Sequence, residues 1–239
     1  MKKIFLIVLT LFLAGCNQEK TLDGKLILEN TIAKHDSLNN WNNTKLNLHI
    51  QEPRISNPYR YSILNLDNSN NSFKLKRNRD QHISEHIVDS NGNSFTLLDG
   101  KTETDSILIK KYRLEAKRNI GYMNFYQLLY GLPMSLNNYL KEIISTSETV
   151  FNKEECYKIG MQLKESIISN QWNLFISKST MEIKGIEIIV PGKPDGGERI
   201  YFDKLITVDG IKIPQIRHWH KLKNDSYSGS DLIIKELKE

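Results

Sequence analysis

The sequence predicts a mainly β protein of the α+β class, in which helices cover a curved antiparallel sheet. Short segments of alternating apolar and polar residues recur along the chain, tight-turn signals separate several of them, and one long aromatic-rich segment lacks the alternation. Strands that follow one another through hairpin turns form antiparallel sheets, and the apolar face of such a sheet needs a cover. About ten strands and two helical segments would make a curved sheet with helices over its concave face.

The first element is a helix predicted over residues 22–38. Leu28, Ile32 and His35 recur at helical spacing, and polar residues after them end the helix. His35 therefore lies on a face of the helix near its end. Asp36 follows directly, and adjacent residues of a helix point in different directions, which argues against an acid–base pair.

Alternation of apolar and polar residues marks the strands of the first half of the chain. In the first of them Leu46, Leu48 and Ile50 alternate with polar residues, as in a strand with one buried face. The Asn91-Gly92 pair is a strong signal for a hairpin turn between two others. The predicted strands of this half cover residues 46–50, 59–66, 72–76, 83–88 and 94–98.

The long aromatic-rich segment covers residues 107–139, which we interpret as one or two helices that end near Gly131 and the following Leu-Pro. A left-handed backbone at Gly131 would be the usual helix stop there. Two interpretations fit the apolar stripe of this segment: a core that packs against the sheet, and a lid over a cavity for an acyl chain. The stripe consists of Tyr122, Phe125, Tyr126, Leu129 and Tyr130.

Strands resume after the helical segment, and Asp209-Gly210 makes a tight connection between two of them. Pro214 lies inside one strand, which predicts an edge strand or a bulge. The glycine-rich loop at residues 192–197 lacks the Gly-Lys-Ser/Thr ending of phosphate-binding loops, so we interpret it as a hairpin turn. The predicted strands of this half cover residues 156–163, 172–176, 181–190, 199–208, 211–220 and 231–237.

Charge patterning and histidine spacing argue against two classes of site. The 239 residues carry a formal net charge of +5, but the basic residues are interleaved with acidic ones, which argues against nucleic-acid binding. His82, Glu85 and His86 match the H-x-x-E-H pattern of zinc proteases, which needs a helix. Here the pattern falls between predicted strands, so we interpret it as exposed polar positions. His218 and His220 share one face of a strand but lack a third ligand nearby. The sequence therefore predicts no metal site, no cofactor and no catalytic residue.

The first residues of the chain predict a cleaved signal peptide over residues 1–15. A signal peptide has basic first residues, then an apolar run, then small residues before the cleavage site, and this segment has all three. The apolar run is about half as long as a bilayer-spanning helix. The stretch Leu13-Ala14-Gly15-Cys16 resembles the lipobox of bacterial lipoproteins. The resemblance implies cleavage before Cys16 and lipidation of its thiol, which anchors the protein on a membrane of the cell envelope.

Lipidation of Cys16 has consequences for the rest of the chain. Cys156 is the other cysteine, so no intramolecular disulfide forms, and we interpret Cys156 as a small buried apolar residue. Residues 16–24 then form a lipidated tether, and residues 25–239 form a single half-barrel domain, because no Pro/Gly/Ser-rich linker divides them. Asn17 stands where lipoproteins retained at the enterobacterial inner membrane have aspartate, which favours the outer membrane.

Several stretches resemble an uncharacterised family of Bacteroidetes lipoproteins, the domain of unknown function 6503. The most specific stretch is residues 126–134, with the sequence YQLLYGLPM. Weaker matches follow the family's order: His35-Asp36 with Trp41, residues 172–181, residues 210–219 and residues 227–231. The family is similar in shape to the LolA/LolB lipoprotein carriers, an incomplete antiparallel barrel covered by helices. The resemblance implies this fold and a cavity, and it implies no catalytic residue.

The sequence and the resemblance together predict a non-enzymatic, lipid-anchored envelope protein that binds a hydrophobic or lipid-like ligand in the half-barrel. Two alternatives stay open: a structural or protein-interaction lipoprotein with a filled core and, more remotely, a metal-dependent envelope hydrolase. Neither the ligand, nor a protein partner, nor the oligomeric state is predicted. The residues that we expect to contact the ligand are Phe125, Leu129, Tyr130, Trp172 and Trp219.

Overall fold

The structure, a computed structural model, describes residues 22–193 and 196–237. Twelve strands in this part of the chain form one antiparallel sheet that is curved and does not close into a barrel, which confirms the predicted fold class. The elements are α1 (Gly24–His35), β1 (Lys45–Gln51), β2 (Tyr61–Asp67), β3 (Ser72–Arg79), β4 (His82–Val88), β5 (Ser94–Leu98), α2 (Ser106–Tyr112), α3 (Asn119–Tyr130), α4 (Leu136–Tyr139), β6 (Leu140–Phe151), β7 (Glu154–Ile167), β8 (Ser169–Ser177), β9 (Ile183–Ile189), β10 (Gly197–Val208), β11 (Ile211–Lys221) and β12 (Tyr227–Glu236).

The predicted signal peptide, Cys16 and most of the predicted tether lie outside the described residues. None of the helices within residues 22–193 and 196–237 combines the length and the apolar character that spanning a bilayer requires.

The sheet consists of two meanders joined along β1 and β12. Strands β1 to β5 run outward to one edge, and strands β12 back to β6 run outward to the other. The connection from β5 to β6 must therefore cross from one edge of the sheet to the opposite edge. This connection contains α2, α3 and α4, and α3 contacts β4 and β5 near one edge and β7 near the other. The topology thus places the aromatic-rich helix inside the curve of the sheet.

Alternation along the strands separates a buried face from a solvent-facing one, as predicted. Every second residue of β1, β2 and β3 is buried. Leu48, Leu64 and Leu75 from these strands join one core cluster with Leu128 and Leu129 of α3. Burial of this apolar surface, at about 25 cal/mol per Å², provides the main driving force for folding.

Two strand predictions need correction. Strand β6 is absent from the prediction because it is an edge strand with most positions exposed, so its sequence carries no alternation. Pro214 was predicted to mark an edge strand or a bulge. β11 is not an edge strand, because it lies between β10 and β12, but its pairing with β12 shifts register between Trp219 and His220. The proline is accommodated because the pairing of β11 with β12 begins only at Ile216, beyond it. On the other side, Lys204 of β10 adopts a φ of +55° next to the partner of Pro214.

The C-terminal end of α1 is held by two adjacent residues with separate partners. The Asp36 carboxylate accepts hydrogen bonds from the backbone N–H groups of Asn40 at 2.9 Å and Trp41 at 2.8 Å. His35 is buried; its Nδ1 lies 2.7 Å from the Lys212 carbonyl, and its Nε2 accepts the backbone N–H of Ile183 at 3.2 Å. His35 thus joins the helix to two strands and does not pair with Asp36.

Helix α3 ends at Tyr130, as the Gly-Leu-Pro stop predicts, but the conformation of Gly131 differs from the prediction. Its φ is −90° and its ψ is 1°, so the backbone is not left-handed. Glycine is needed here for space, because a Cβ at this position would lie 2.2 Å from Cζ2 of Trp41 and 2.5 Å from the carbonyl oxygen of Gln127. Close packing of Trp41 on the end of α3 is the constraint at this position.

Replacing Gly131 with alanine should therefore destabilise the protein by about 1–3 kcal/mol, since the rigid indole has to move. Gly121→Ala is the matched control, because Gly121 lies in the same helix and its Cβ would meet no atom within 4 Å. Alanine is the better helix former, so the control should gain roughly 0.5–1 kcal/mol. Urea unfolding followed by circular dichroism measures both changes. Equal effects of the two substitutions would contradict the packing argument.

His35 should make the stability depend on pH. Burial lowers the pKa of His35 below its ordinary value of 6.5, although the hydrogen bond to Lys212 opposes the shift. As the pH falls through 6.5, the unfolded chain takes up a proton that the folded chain resists. The free energy of unfolding should then fall by up to about 1.4 kcal/mol per pH unit.

The measurement is urea unfolding between about pH 7.5 and about pH 5, where histidine titrates. His35→Gln should flatten the dependence, and His49→Gln, at a half-buried position of β1, is the matched control. Burial lowers the pKa of His86 to about 4, and that residue contributes to the slope in all three proteins. The same slope in wild type and His35→Gln would refute the assignment.

Candidate functional site

A cavity of about 480 Å³ lies beside α3 and reaches the surface at Arg113 and Ile168, which are exposed. Its volume falls within the range of roughly 300–1,000 Å³ that is typical of ligand pockets. The apolar and aromatic lining residues are Tyr122, Phe125, Tyr126, Tyr130, Ile168 and Trp219. The charged and polar lining residues are Glu52, Arg54, Arg60, Arg77, Arg113, Glu198, Ser228 and Asp231.

The aromatic wall of the cavity is a face of α3 together with Trp219 of β11. Phe125 lies with its ring centroid 5.5 Å from that of Tyr126 and 6.4 Å from that of Trp219. Tyr126 stacks on Tyr130 at 5.3 Å. Phe125 is only partly buried, whereas Tyr126 and Tyr130 are buried. The helical spacing of these residues places their rings side by side along one wall.

A buried ion pair between Glu52 and Arg77 forms the polar part of the lining. Glu52 follows β1 directly and Arg77 lies in β3, both in the inward phase of the alternation. Arg77 donates from Nε to Oε2 of Glu52 at 3.1 Å and from Nη2 to Oε1 at 3.0 Å. The Tyr126 hydroxyl accepts from Nη2 of Arg77 and donates to Oε1 of Glu52 at 3.3 Å. The pair therefore connects α3 to two strands of the sheet.

Further donors surround the Glu52 carboxylate. Arg60 donates from Nε at 3.0 Å and Ser62 from its hydroxyl at 2.7 Å, both to Oε2. Burial on its own would raise the pKa of Glu52, but the charges of Arg77 and Arg60 outweigh burial and lower it to about 2. Burial raises the pKa of Tyr126, so its hydroxyl stays neutral. Glu52 is thus an ionised, fully paired carboxylate, which makes it a poor general base.

A second ion pair holds the Trp219 ring at the lining. Arg54 donates from Nη2 to Oδ1 of Asp231 at 2.6 Å, and the Trp219 indole N–H donates to Oδ2 at 2.8 Å. Arg54 also donates to the carbonyl of Ser230 at 2.6 Å. Burial and the nearby Glu52 charge raise the pKa of Asp231, while Arg54 opposes that shift. The polar groups of this wall are therefore engaged in holding an aromatic surface.

Tyr130 is held from the side of the sheet by a buried arginine. The guanidinium carbon of Arg217 lies 3.9 Å from the Tyr130 ring centroid, a close cation–π contact. Arg217 is fully buried, and its Nη1 donates to the Pro214 carbonyl at 2.9 Å. Burial lowers the pKa of Arg217, while the surrounding aromatic surface favours the charge. This contact fixes the end of the aromatic wall.

A smaller cavity of about 260 Å³ adjoins the first. The two cavities share Arg54, Arg60 and Arg77 as lining residues. The smaller one is also lined by Arg79, by Tyr112 of α2, and by Asp80 and Lys111, whose charged groups lie 3.3 Å apart. The two cavities are therefore adjacent to each other along these three arginines.

The structure brings together three of the five residues predicted to contact a ligand. Phe125, Tyr130 and Trp219 line the larger cavity. Leu129 and Trp172 belong instead to the filled core, and the indole N–H of Trp172 donates to the Ser169 carbonyl at 2.9 Å. The aromatic stripe of α3, which the sequence presents as one face, is therefore divided between core and cavity.

Sequence reasoning missed the charged residues of the lining. A signal for two of them was present, because Glu52 continues the buried phase of Leu48 and Ile50, and Arg77 continues that of Leu75. A charged residue in the inward phase of a strand is buried and needs a partner. Pairing two such residues across β2, which lies between β1 and β3, would have located the polar part of the cavity.

The H-x-x-E-H residues lie on β4, as predicted, but they are not all exposed. Glu85 and His86 are buried. Four residues along a strand separate His82 and His86 by about 13 Å, too far apart to share one metal ion. His82 Nδ1 lies 2.6 Å from the Asp99 carboxylate, and His86 Nδ1 lies 2.9 Å from the Asn119 side-chain oxygen. Each histidine therefore serves a separate local contact.

The other predicted polar candidates also have structural partners. His218 Nδ1 lies 2.8 Å from the Ser230 hydroxyl, and His220 Nδ1 lies 2.7 Å from the Asp225 carbonyl. Cys156 is buried, in accord with its interpretation as an apolar residue. Within residues 22–193 and 196–237, no group of three histidine, cysteine or acidic side chains is placed to hold a metal ion.

The chemistry of the larger cavity is that of a mixed aromatic and cationic surface. Its described lining contains no histidine or cysteine, and its most strongly ionised carboxylate is enclosed by donors. Aromatic rings offer apolar contact area, and guanidinium groups offer paired N–H donors in a fixed plane. The arrangement is therefore suited to holding a molecule that has both apolar and anionic parts.

The structure is similar to three solved structures, each with 10% sequence identity. A domain named for outer membrane lipoprotein sorting, from Vibrio parahaemolyticus, has a TM-score of 0.49, with 88% of this chain and 89% of that chain covered. A LolA superfamily protein from Nitrosomonas europaea has a TM-score of 0.46, with 92% and 95% covered. A DUF1329 family protein from Desulfovibrio piger has a TM-score of 0.42, with 90% and 94% covered.

The search of curated proteins found no match to this sequence. The comparison with protein families gave a match over nearly the whole chain, from residue 2 to residue 236. That span includes the helical cover, every strand of the sheet and the residues of both cavities. It confirms the predicted family: the chain belongs to the family of unknown function DUF6503.

Proposed function

We propose that this protein is a non-enzymatic, lipid-anchored lipoprotein of the bacterial cell envelope that binds a lipid-like ligand between α3 and the sheet. The anchor is the Cys16 thiol, and the outer membrane is the membrane that Asn17 favours. The observation that carries the binding proposal is the cavity of about 480 Å³ beneath Phe125. Its aromatic wall would contact the apolar part of the ligand.

Two aromatic residues of the cavity lining, Tyr122 and Phe125, are less buried than the residues of the core, and this supports the proposal. Leu129 and Trp172 are at most 1% exposed, as in a tightly packed interior. Tyr122 and Phe125, in the same helical segment, are only partly buried. A helix that served only as a core element would bury its whole apolar stripe. The exposed remainder of the stripe is a surface that a ligand can cover.

The alternative, a protein-interaction lipoprotein, has one observation in its favour. Edge strand β6 is exposed over most of its length and carries Ile144 and Val150, which are 58% and 68% exposed. An exposed edge strand offers unpaired backbone groups to a partner. This surface lies on the edge of the sheet, so the two functions are separable by substitutions in different elements.

Phe125→Ala and Leu129→Ala should separate ligand binding from folding. The test uses the full chain in an uncharged detergent and a palmitate that carries a photoreactive diazirine. Phe125→Ala should reduce labelling of cavity peptides with a small loss of stability, because its side chain is half-buried. Leu129→Ala should cost about 2–5 kcal/mol, since Leu129 is a core residue. Folded Leu129→Ala protein should still be labelled.

The control for Phe125→Ala is Phe95→Ala on β5, since Phe95 is 44% exposed and does not line the cavity. Its labelling should equal that of wild type. Labelling spread over the protein surface, or the same loss of labelling in both phenylalanine variants, would count against ligand binding in this cavity.

The anchoring proposal is tested at the two cysteines. Cys16→Ala removes the lipid acceptor, so the variant should stay as an uncleaved precursor or become soluble. Cys156→Ala is the control, because Cys156 is a buried residue and should not affect the anchor. Fractionation of cells and metabolic labelling with a fatty acid measure both effects. A Cys16→Ala protein that is processed and partitions with membranes as wild type does would refute the anchor.

A further inference from the structure

Five arginines line the two adjoining cavities, and they differ in whether a carboxylate neutralises them. Arg60 and Arg77 are paired with Glu52, and Arg54 is paired with Asp231. Arg79 lines the smaller cavity and Arg113 lines the larger one. Neither forms an ion pair with a carboxylate in residues 22–193 and 196–237.

The acidic residues that adjoin these two arginines in sequence, and Glu52 of the shared lining, are engaged elsewhere. Asp80 is paired with Lys111, with 3.3 Å between the charged groups. Glu52 already accepts hydrogen bonds from two arginines. Glu115, which follows Arg113 closely in sequence, forms its ion pair with Arg118 at 2.7 Å. The structure therefore leaves a positive charge on this part of the cavity lining.

Arg79 is in an unfavourable position without an anion. Its Nε is buried and has no hydrogen-bond partner among the described residues. Burial, followed by the charges of Arg77, Arg60 and Arg113, lowers the pKa of Arg79. Arginine nevertheless remains protonated in proteins. A guanidinium group that is partly desolvated and surrounded by like charges needs a negatively charged partner to satisfy its donors.

We propose that Arg79 and Arg113 bind the anionic group, a carboxylate or a phosphate, of a ligand whose apolar part lies along the aromatic wall of α3. The proposal rests on the proposed function, because the same ligand occupies the cavity beneath Phe125. Guanidinium groups bind carboxylates and phosphates through paired, charge-assisted hydrogen bonds. The ligand class is therefore an amphiphile with a single anionic head.

The position of Tyr122 supports an arrangement with the head at the arginines and the chain beneath α3. Tyr122 lines the larger cavity together with Arg113 and Phe125. Tyr122 also contacts His86 with 4.7 Å between ring centroids, which holds the start of the aromatic wall. The cationic residues and the aromatic wall are thus contiguous, as one amphiphile requires.

The test compares three photoreactive probes that share one alkyl chain and one diazirine position: palmitate, hexadecyl phosphate and hexadecanol. Each is titrated against the full chain in the same uncharged detergent, with mass spectrometry of the labelled peptides. The variants are Arg79→Gln and Arg113→Gln. The control is Lys101→Gln, which removes one positive charge from an exposed residue that lines neither cavity.

Either cavity variant should weaken labelling by an anionic probe about tenfold, the effect of losing one charge-assisted contact, and should leave hexadecanol unchanged. A preference for palmitate over hexadecyl phosphate, or the reverse, identifies the head as carboxylate or phosphate. Arg79→Gln should also keep or raise the melting temperature, since it relieves repulsion. If Arg79 served only the fold, Arg79→Gln would instead lower the melting temperature, and the preference among the probes would be unchanged.

Two outcomes would overturn the inference, and they are distinguishable from each other. If hexadecanol labels the cavity and the anionic probes label it equally in wild type and in both variants, the anion site is wrong while the proposed function stands. If none of the probes labels cavity peptides, the proposed function fails and the anion site fails with it. A tenfold loss of labelling in Lys101→Gln as well would show that the effect comes from overall charge.

Discussion

The contact on which the cavity depends is the buried ion pair of Glu52 and Arg77 with the Tyr126 hydroxyl between them. It joins the end of β1, the C-terminal part of β3 and the helix that covers them. Such pairs add little net stability compared with apolar residues of the same size, yet removing one partner costs about 3–5 kcal/mol. The main effect of the pair is therefore on the position of α3, because it fixes how the helix is placed and rotated over the sheet.

The order of the strands is what forces a helix into that position. Because β5 and β6 are the two edges of one sheet, the chain between them has to cross its concave side. The crossing segment meets a surface that is apolar along most strands and charged where β1 and β3 end. Leu128 and Leu129 fill the apolar part. The cavity lies in the remaining part, beside Tyr122 and Phe125, where the charged residues Glu52 and Arg77 are buried.

Alternation and turn signals were sufficient to predict the fold class, most strands and the helical cover, because these depend on local periodicity. Strand β6 was missed because an exposed edge carries no periodicity, and Gly131 was assigned a left-handed backbone because a clash with Trp41 is a contact between distant residues. The aromatic half of the candidate site was found for the same local reason. The arginines of the site were not predicted, since their importance depends on which carboxylate on another strand each one pairs with.

The division of arginines into paired and unpaired groups explains how the lining of the cavities can be rigid and still bind a ligand. Arg54 and Arg77 are held by carboxylates and position Trp219 and Tyr126, so their donors serve the fold. Arg79 and Arg113 form no ion pair with a carboxylate among the described residues. The repulsion between their charges is therefore not compensated in the folded chain. An anion that binds to these two guanidinium groups would relieve this repulsion. The rigid residues thus define where an apolar chain can lie, and the unpaired residues define which end of it is held.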